Sequence, residues 1–227
     1  MIEVFILSII QGVTEFLPVS SSSHLIIISK YLNFESQSLS IDVSLHIGSF
    51  IAVITYFKKD IVDFIKNKEL FLKIFLSSIP VMLTGLLLVE FNLINHLRNL
   101  QVIGWTTIIF GVLLYISDKF DIEKKIDDDF TFKSAMFIGI LQIFSLVPGV
   151  SRSGIAITAA RLLRFKRTEA AKISFLISIP ILGAVSIFGL KNIFLSESTE
   201  FTKLNLLSII ISFFFSFFTI KYFLKYV

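Results

Sequence analysis

The sequence predicts an all-α polytopic membrane protein, an inverted-repeat helical bundle with two re-entrant helix–turn–helix hairpins and about five full spans. Three observations lead to this class. The 227 residues are 55% hydrophobic and only 17% charged, a lower charge than soluble domains carry. Apolar stretches of about 20 residues, the length that crosses a bilayer, recur along the chain. Two further apolar stretches are interrupted by proline and runs of serine.

Five uninterrupted apolar segments are predicted to be full spans, of which the first is short. They are residues 41–57, 70–89, 100–117, 170–190 and 204–223. The polar connection 118–133, with its acidic run Asp127 to Asp129, is predicted to be a solvated loop.

The two interrupted stretches are residues 4–32 and 134–165. Pro18 and four serines break the first, and Pro148, Gly149 and a Ser-Arg-Ser-Gly run break the second. Each half has only about 10 to 14 residues, too few to cross about 30 Å of hydrocarbon at 1.5 Å per residue. We therefore predict that each stretch enters and leaves the membrane on one side, with its broken backbone covered by protein or a wet cavity.

Charge sets the predicted orientation. With five spans and two hairpins, all the loops rich in lysine and arginine fall on one face, which is the cytoplasmic one by the positive-inside rule. The net charge of +4 is then explained by topology, and no nucleic-acid partner is expected. The absence of cysteine excludes disulfides, thiolate metal sites and cysteine nucleophiles.

The same span count gives the two hairpins opposite orientations, as an inverted repeat requires. We predict one integral membrane domain, residues 1–227. Its first repeat is 1–117 with hairpin 4–32, and its second is 133–227 with hairpin 134–165, lacking a last span. A shared spacing supports the repeat, because Gln11 precedes Ser20 by nine residues and Gln142 precedes Ser151 by nine.

Ionisable residues inside apolar segments are candidates for function, because hydrocarbon makes them costly. Glu15, His24 and Arg152 stand out, and all three lie at the broken parts of the hairpins. If the hairpins meet near the membrane midplane, these three side chains converge.

In the first hairpin, Ser20 or Ser21 can cap the second short helix, whose N-terminus suits a phosphate. Ser21 and His24 are three residues apart and can share one helical face, the pairing that a serine nucleophile and its proton partner need. Gln11 and Glu15 are four residues apart on the opposing arm. Glu15 could bind a divalent cation or act as a base.

The second hairpin repeats this design. Ser151 or Ser153 is predicted to cap a helix that starts near Ile155, and Arg152 supplies a positive fork for phosphate oxygens. Gly149 and Gly154 allow the backbone to approach a ligand closely.

A structural explanation competes for several of these residues. Serines before a helix are often only caps, and Ser22 and Ser23 are the expected bystanders. His46 stands in the first span without polar neighbours in sequence. It is therefore expected only to form an interhelical hydrogen bond.

The segments Gln11 to His24, QGVTEFLPVSSSSH, and Pro148 to Gly154, PGVSRSG, resemble the two signatures of the undecaprenyl-diphosphate phosphatases of the bacitracin-resistance type. The resemblance covers essentially the whole chain. It implies hydrolysis of undecaprenyl diphosphate to the monophosphate and inorganic phosphate, which recycles the lipid carrier of peptidoglycan synthesis. It further implies Mg²⁺ or Ca²⁺ as cofactor and a multi-pass protein of the bacterial inner membrane with its active site facing the periplasm.

By motif position, the resemblance makes Gln11 and Glu15 the two places of an (E/Q)xxxE element and the expected metal ligands. Ser21 matches a proposed nucleophile, His24 its proton-transfer partner and Arg152 the phosphate-holding arginine. A water activated by Glu15 or His24 is the alternative to Ser21. The matching phosphate-binding neighbours are Ser20, Ser151, Ser153 and Gly154.

Two departures from the family pattern are visible: Ala156 stands where a threonine is common, and family chains usually carry one more C-terminal span. The rival function is a prenyl-phosphate lipid transporter or flippase, which would need a similar anion site. The expected partners are a polyprenyl diphosphate lipid and membrane lipids, and the sequence leaves an oligomer open.

Overall fold

The computed structural model describes residues 1–34, 38–59, 61–62, 67–91, 93, 97–120, 124–194 and 199–226. Its principal elements are helical. They are α1 (Ile2–Thr14), α2 (Ser21–Leu32), α3 (Leu39–Tyr56), α4 (Lys68–Glu90), α5 (Leu100–Ser117), α6 (Ile126–Asp129), α7 (Phe132–Leu141), a 3₁₀ helix (Gln142–Leu146), α8 (Arg152–Leu162), α9 (Arg167–Phe194) and α10 (Thr199–Tyr226). The predicted all-α class is confirmed.

Within the part of the chain that the structure describes, four helices are long and apolar enough to cross a membrane: α4, α5, Arg167–Ile187 of α9 and Lys203–Tyr226 of α10. Their mean hydropathy lies between 1.8 and 2.0. The remaining predicted span, residues 41–57, corresponds to α3, which has 18 residues. At 1.5 Å per residue α3 extends about 27 Å, close to the hydrocarbon thickness of about 30 Å.

The two interrupted stretches form the predicted pairs of short helices. In the first, α1 has 13 residues and α2 has 12, and the two helices pack on each other. In the second, α7 continues into the 3₁₀ helix, and α8 follows after the turn. One boundary was wrong: α8 begins at Arg152 and not near Ile155, because Ser151 already provides its cap.

The chain divides into two compact units, and α9 contributes to both, with the boundary between Ser178 and Ile179. The first unit contains residues 1–17, 21–58 and 179–226. In it α10 packs against both α1 and α3. Its buried face is a row of serines at four-residue intervals, Ser208, Ser212 and Ser216, none of which is accessible to solvent.

Hydrogen bonds join this row of serines to α3. Ser212 Oγ donates to the carbonyl oxygen of Leu45 at 2.7 Å, and Ser49 Oγ lies 2.9 Å from Ser216 Oγ. Small residues let helices approach closely in a membrane, where hydrophobic burial does not drive their association. This serine row was not predicted, although its four-residue spacing is visible in the sequence.

Two glycines permit the close approach of α10. A Cβ added at Gly12 of α1 would collide with the Cβ of Phe215. A Cβ at Gly48 of α3 would collide with the carbonyl oxygen of Ile209 and lie 2.9 Å from the backbone nitrogen of Phe213. These neighbours lie mostly in helical backbone, which cannot move aside as a flexible side chain can.

Gly48→Ala is therefore expected to destabilise the protein by about 1–3 kcal/mol, the usual cost of overpacking. Thermal unfolding of the purified protein in detergent would measure the loss. Gly111→Ala in α5 is the matched control, because a Cβ there would meet no atom within 4 Å. Equal melting temperatures for the two variants would contradict the close packing of α3 and α10.

The second unit contains residues 18–20 and the described part of 59–178. In it α7 packs against α4, and α8 packs against α5. Gly139 of α7 lies so close to Ser77 of α4 that an added Cβ would collide with the Ser77 carbonyl oxygen. As in the first unit, the first arm of a hairpin packs through a glycine onto a long helix.

A polar clasp, formed by Arg161, Asp118 and Arg167, fixes the end of α8. Arg161 is 4% exposed and donates to the carbonyl oxygens of Phe165 at 3.1 Å and Asp118 at 2.7 Å. Arg167 binds both carboxylate oxygens of Asp118, at 3.0 and 2.6 Å. The loop that was predicted to be wholly solvated thus binds the second hairpin, and it also contains the short helix α6.

Each unit combines helices from both predicted repeats. The first hairpin packs with α10, and the second packs with α4 and α5. The two units therefore do not coincide with the repeats 1–117 and 133–227. The inverted-repeat relation stays a prediction.

Candidate active site

A cluster of polar side chains surrounds Glu15, directly after the end of α1. The backbone N–H of Glu15 donates to the carbonyl oxygen of Gln11 at 2.9 Å, so these residues lie one helical turn apart. Gln11 is fully buried and Glu15 is 5% exposed. A buried carboxylate needs hydrogen-bond donors around it, and the cluster supplies them.

Three side chains approach a single oxygen of Glu15. Ser21 Oγ donates to Glu15 Oε2 at 2.7 Å, and Gln11 Nε2 donates to the same atom at 2.8 Å. The Nδ1 atom of His46 lies 3.6 Å from it. The predicted group of Gln11, Glu15 and Ser21 is thus brought together in the first unit.

Ser21 is the first residue of α2, and Ser20 precedes it at the cap position. The hydroxyl of Ser21 already points at a carboxylate, so a proton acceptor is in place if Ser21 or a water in its position attacks a phosphorus atom. His24 lies three residues further along α2 and is exposed. Its predicted role as the proton partner of Ser21 stays a prediction.

His46 is a further member of the cluster around Glu15. Its Nδ1 lies 3.0 Å from Gln11 Nε2, and the side chain is 26% exposed. The predicted interhelical hydrogen bond is confirmed, because α3 packs on α1 and brings the imidazole to Gln11. The position of His46 beside Glu15 was not predicted. The available signal was that an ionisable side chain within a span is a functional candidate by default.

The turn of the second hairpin carries the other predicted residues. Ser151 caps α8, with its Oγ accepting from the backbone N–H of Gly154 at 3.1 Å. Ser153 Oγ lies 3.0 Å from Ser151 Oγ, and both serines are buried. Arg152 is the first residue of α8 and is partly exposed. A guanidinium at a helix N-terminus, the positive end of the helix dipole, forms a suitable setting for an anion.

Two threonines of α5 hold this turn in place. Thr106 Oγ1 donates to the carbonyl oxygen of Pro148 at 2.7 Å, and Thr107 Oγ1 donates to that of Gly149 at 3.4 Å. Gly149 has φ +99°, which favours glycine, and an added Cβ would collide with Thr106. The backbone conformation and the contact with α5 explain glycine at position 149, and the close approach of a ligand there stays a prediction.

Gly154 also lies in a confined place. An added Cβ would stand 3.0 Å from the Cβ of Ser151 and 3.4 Å from the carbonyl oxygen of Pro18. Pro18 belongs to the tip of the first hairpin, and residues 18–20 fall in the same compact unit as the second hairpin. The tip that carries Ser20 is therefore packed with the second motif.

The oxygen atoms that Glu15 and Gln11 offer suit a hard divalent cation better than a transition metal. The described residues contain no group of three or more His, Cys, Asp or Glu side chains that could hold a metal by themselves. Glu15 nevertheless offers a carboxylate, and the buried Gln11 Oε1 accepts no hydrogen bond from the described residues. Mg²⁺ and Ca²⁺ take such oxygens and complete their shells with waters or substrate phosphates.

The chain has membrane-spanning helices and two polar helical turns. One turn carries a carboxylate and a serine, and the other carries an arginine at a helix N-terminus. These features define the chain as a polytopic membrane protein equipped to handle phosphate. A comparison with models of protein families supports this class of protein. The chain belongs to the family described as bacitracin resistance protein BacA, whose model matches residues 4–227.

Three similar curated proteins are each named undecaprenyl-diphosphatase. The chain is 48% identical over 227 residues to the undecaprenyl-diphosphatase of Pelagibacter ubique (strain HTCC1062), covering 100% of this chain and 88% of the relative. It is 42% identical over 237 residues to that of Aliivibrio salmonicida (strain LFI1238), covering 98% and 88%. It is 41% identical over 199 residues to that of Jannaschia sp. (strain CCS1), covering 82% and 74%. The resemblance read from the two motifs is confirmed.

Proposed function

We propose that this chain hydrolyses undecaprenyl diphosphate to undecaprenyl phosphate and inorganic phosphate. The observation that carries the proposal is the contact of Ser21 Oγ and Gln11 Nε2 with one buried carboxylate oxygen of Glu15. The names of its relatives and its family membership point to the same reaction. The reaction would return the lipid carrier to peptidoglycan synthesis and confer resistance to bacitracin.

The first motif would supply the attacking group. Glu15 accepts the proton of the Ser21 hydroxyl, Ser21 Oγ forms a bond to the terminal phosphorus, and the anhydride P–O bond breaks to release undecaprenyl phosphate. Water then hydrolyses the phosphoserine and releases inorganic phosphate. In the alternative route a water takes the place of Ser21, and Glu15 or His24 accepts its proton directly.

The second motif would hold the diphosphate. Arg152 can bind two phosphate oxygens with its planar fork, and the N-terminus of α8 adds backbone N–H donors near Ser151, Ser153 and Gly154. Phosphoryl transfer depends mainly on positioning and on neutralising charge, which these groups provide.

We further propose that Mg²⁺ or Ca²⁺ binds at Glu15 and Gln11. Gln11 Oε1 has no hydrogen-bond partner among the described residues, and it and the Glu15 carboxylate are suitable ligands. A bound divalent cation would neutralise charge on the diphosphate. The lysine- and arginine-rich loops support a cytoplasmic face opposite a periplasmic active site.

An assay of the purified 227-residue chain with undecaprenyl diphosphate tests the proposal. We expect release of one inorganic phosphate per lipid and loss of activity when a chelator removes divalent cations. The same protein in liposomes would be assayed for movement of the lipid. Movement across the bilayer without phosphate release would contradict the enzyme and favour a transporter.

Ser21→Ala is expected to lower kcat by roughly 10²-fold or more, with a smaller effect on KM, because it removes the hydroxyl that contacts Glu15. Ser22→Ala is the matched control in the same turn and is expected to keep most of the activity. Mass spectrometry of the quenched wild-type reaction would look for phosphoserine at position 21. Near-normal kcat in Ser21→Ala would assign the attack to water.

A further inference from the structure

The amide of Gln11 is held by two acceptors. Its Nε2 atom donates to Glu15 Oε2 at 2.8 Å and lies 3.0 Å from His46 Nδ1. An amide nitrogen carries two hydrogens, so the two contacts use both of them. The orientation of the amide follows from this network, because its rotation by half a turn would bring Oε1 against a carboxylate and an imidazole nitrogen.

This orientation leaves Gln11 Oε1 as a buried acceptor without a hydrogen-bond partner among the described residues. Such an atom costs free energy unless a ligand occupies it. A carbonyl oxygen beside a carboxylate repels a diphosphate and attracts a cation. The chemistry of the pair therefore selects a hard divalent cation.

The helix that carries His46 is fixed in rotation. The residue before it, Leu45, accepts a hydrogen bond from Ser212 of α10, and Ser49 contacts Ser212 and Ser216. Gly48 packs against the backbone of α10. The imidazole is thus presented to Gln11 from a rigid element, as a group that orients a ligand must be.

We infer that His46 is a positioning residue: by accepting a hydrogen bond from Gln11 Nε2, it holds Gln11 Oε1 ready for a divalent cation at Glu15. The inference deepens the proposed function and rests on the Gln11–Glu15 cation site proposed above. It requires Nδ1 of His46 to be the unprotonated ring nitrogen, with the ring proton on Nε2.

Two substitutions separate this role from mere packing. His46→Leu removes the acceptor and keeps an apolar volume, whereas His46→Asn places an amide oxygen near the position of Nδ1. We expect His46→Leu to raise the Mg²⁺ or Ca²⁺ concentration for half-maximal phosphate release by about tenfold or more, as loss of a group that orients a metal ligand does. His46→Asn is expected to restore it to within about threefold of wild type, since its oxygen can accept the same hydrogen bond.

Calorimetric titration of Ca²⁺ into the substrate-free protein provides a readout that does not depend on turnover. We expect the Ca²⁺ affinity to fall in His46→Leu and to recover in His46→Asn, by the same factors as above. The melting temperatures of both variants are expected to stay close to wild type. His46→Ala carries the same expectation if the leucine variant does not fold. Unchanged Ca²⁺ affinity in these variants, or an asparagine variant as defective as the leucine one, would overturn the inference.

A double-mutant comparison isolates the contact with Gln11. On a Gln11→Leu background, His46→Leu is expected to add no further loss of Ca²⁺ affinity, because the oriented atom is already gone. Additive losses would overturn the inference. Failure of the cation site itself has a different signature, namely Glu15→Gln and Gln11→Leu proteins that bind Ca²⁺ as tightly as wild type.

Discussion

Glu15→Gln is expected to lower the rate of phosphate release by roughly 10²- to 10⁴-fold, the range that a general base contributes. The substitution preserves side-chain size but removes the charge that accepts from Ser21 and Gln11. A neutral amide cannot take a proton from Ser21 or from water. It also presents an NH₂ group to neighbours that are themselves donors, so the cluster would lose its order as well as its base.

The rate would be measured as kcat with undecaprenyl diphosphate at saturating Mg²⁺ or Ca²⁺. Glu90→Gln makes the same chemical change at an exposed position near the end of α4 and is expected to behave as wild type. A Glu15→Gln protein that keeps more than about a tenth of wild-type kcat would show that this carboxylate is not the base.

Arg152→Lys is expected to reduce kcat/KM by roughly 10²- to 10³-fold, comparable to the loss of one donor that stabilises a transition-state charge. Lysine keeps the positive charge but cannot bind two phosphate oxygens with a planar fork. Because Ser151 caps α8 through its own hydroxyl, the helix N-terminus should survive the change. The loss would then report phosphate binding rather than unfolding.

Arg164→Lys is the matched control, since Arg164 is exposed and lies beyond the end of α8. Its kcat/KM is expected to stay within about twofold of wild type, as for most surface substitutions. Equal activity in the two variants would remove Arg152 from the proposed site. The double variant Glu15→Gln with Arg152→Lys is expected to show a non-additive loss of activity, because both residues take part in the proposed reaction.

Hydropathy and helix-breaking residues were sufficient to predict most of the fold. The long helices lie where uninterrupted apolar segments occur, and the short pairs lie where Pro18 and Pro148 interrupt them. Local chemistry also predicted a cap at Ser151 or Ser153, and the structure shows that Ser151 is the cap. These features depend on residues close together in the chain, so a reading along the sequence can find them.

The missed features depend on pairing between distant segments. His46 joins Gln11 across 35 positions, and Ser49 joins Ser216 across 167. Spacing within one helix indicates which residues share a face, but it does not indicate which other helix that face meets. The contact of the Ser21 hydroxyl with Glu15 was not predicted either, and the pairing of Ser21 with His24 stays a prediction.

The packing of α10 against α1 and α3 has a consequence for the order of synthesis. A ribosome that has made residues 1–198 has already produced every side chain of the proposed site. The glycine faces of α1 and α3, beside Gln11 and His46, would still lack the helix that covers them. We therefore expect nascent chains halted before α10 to be inserted but inactive, and hydrolysis to begin only after α10 has entered the bilayer.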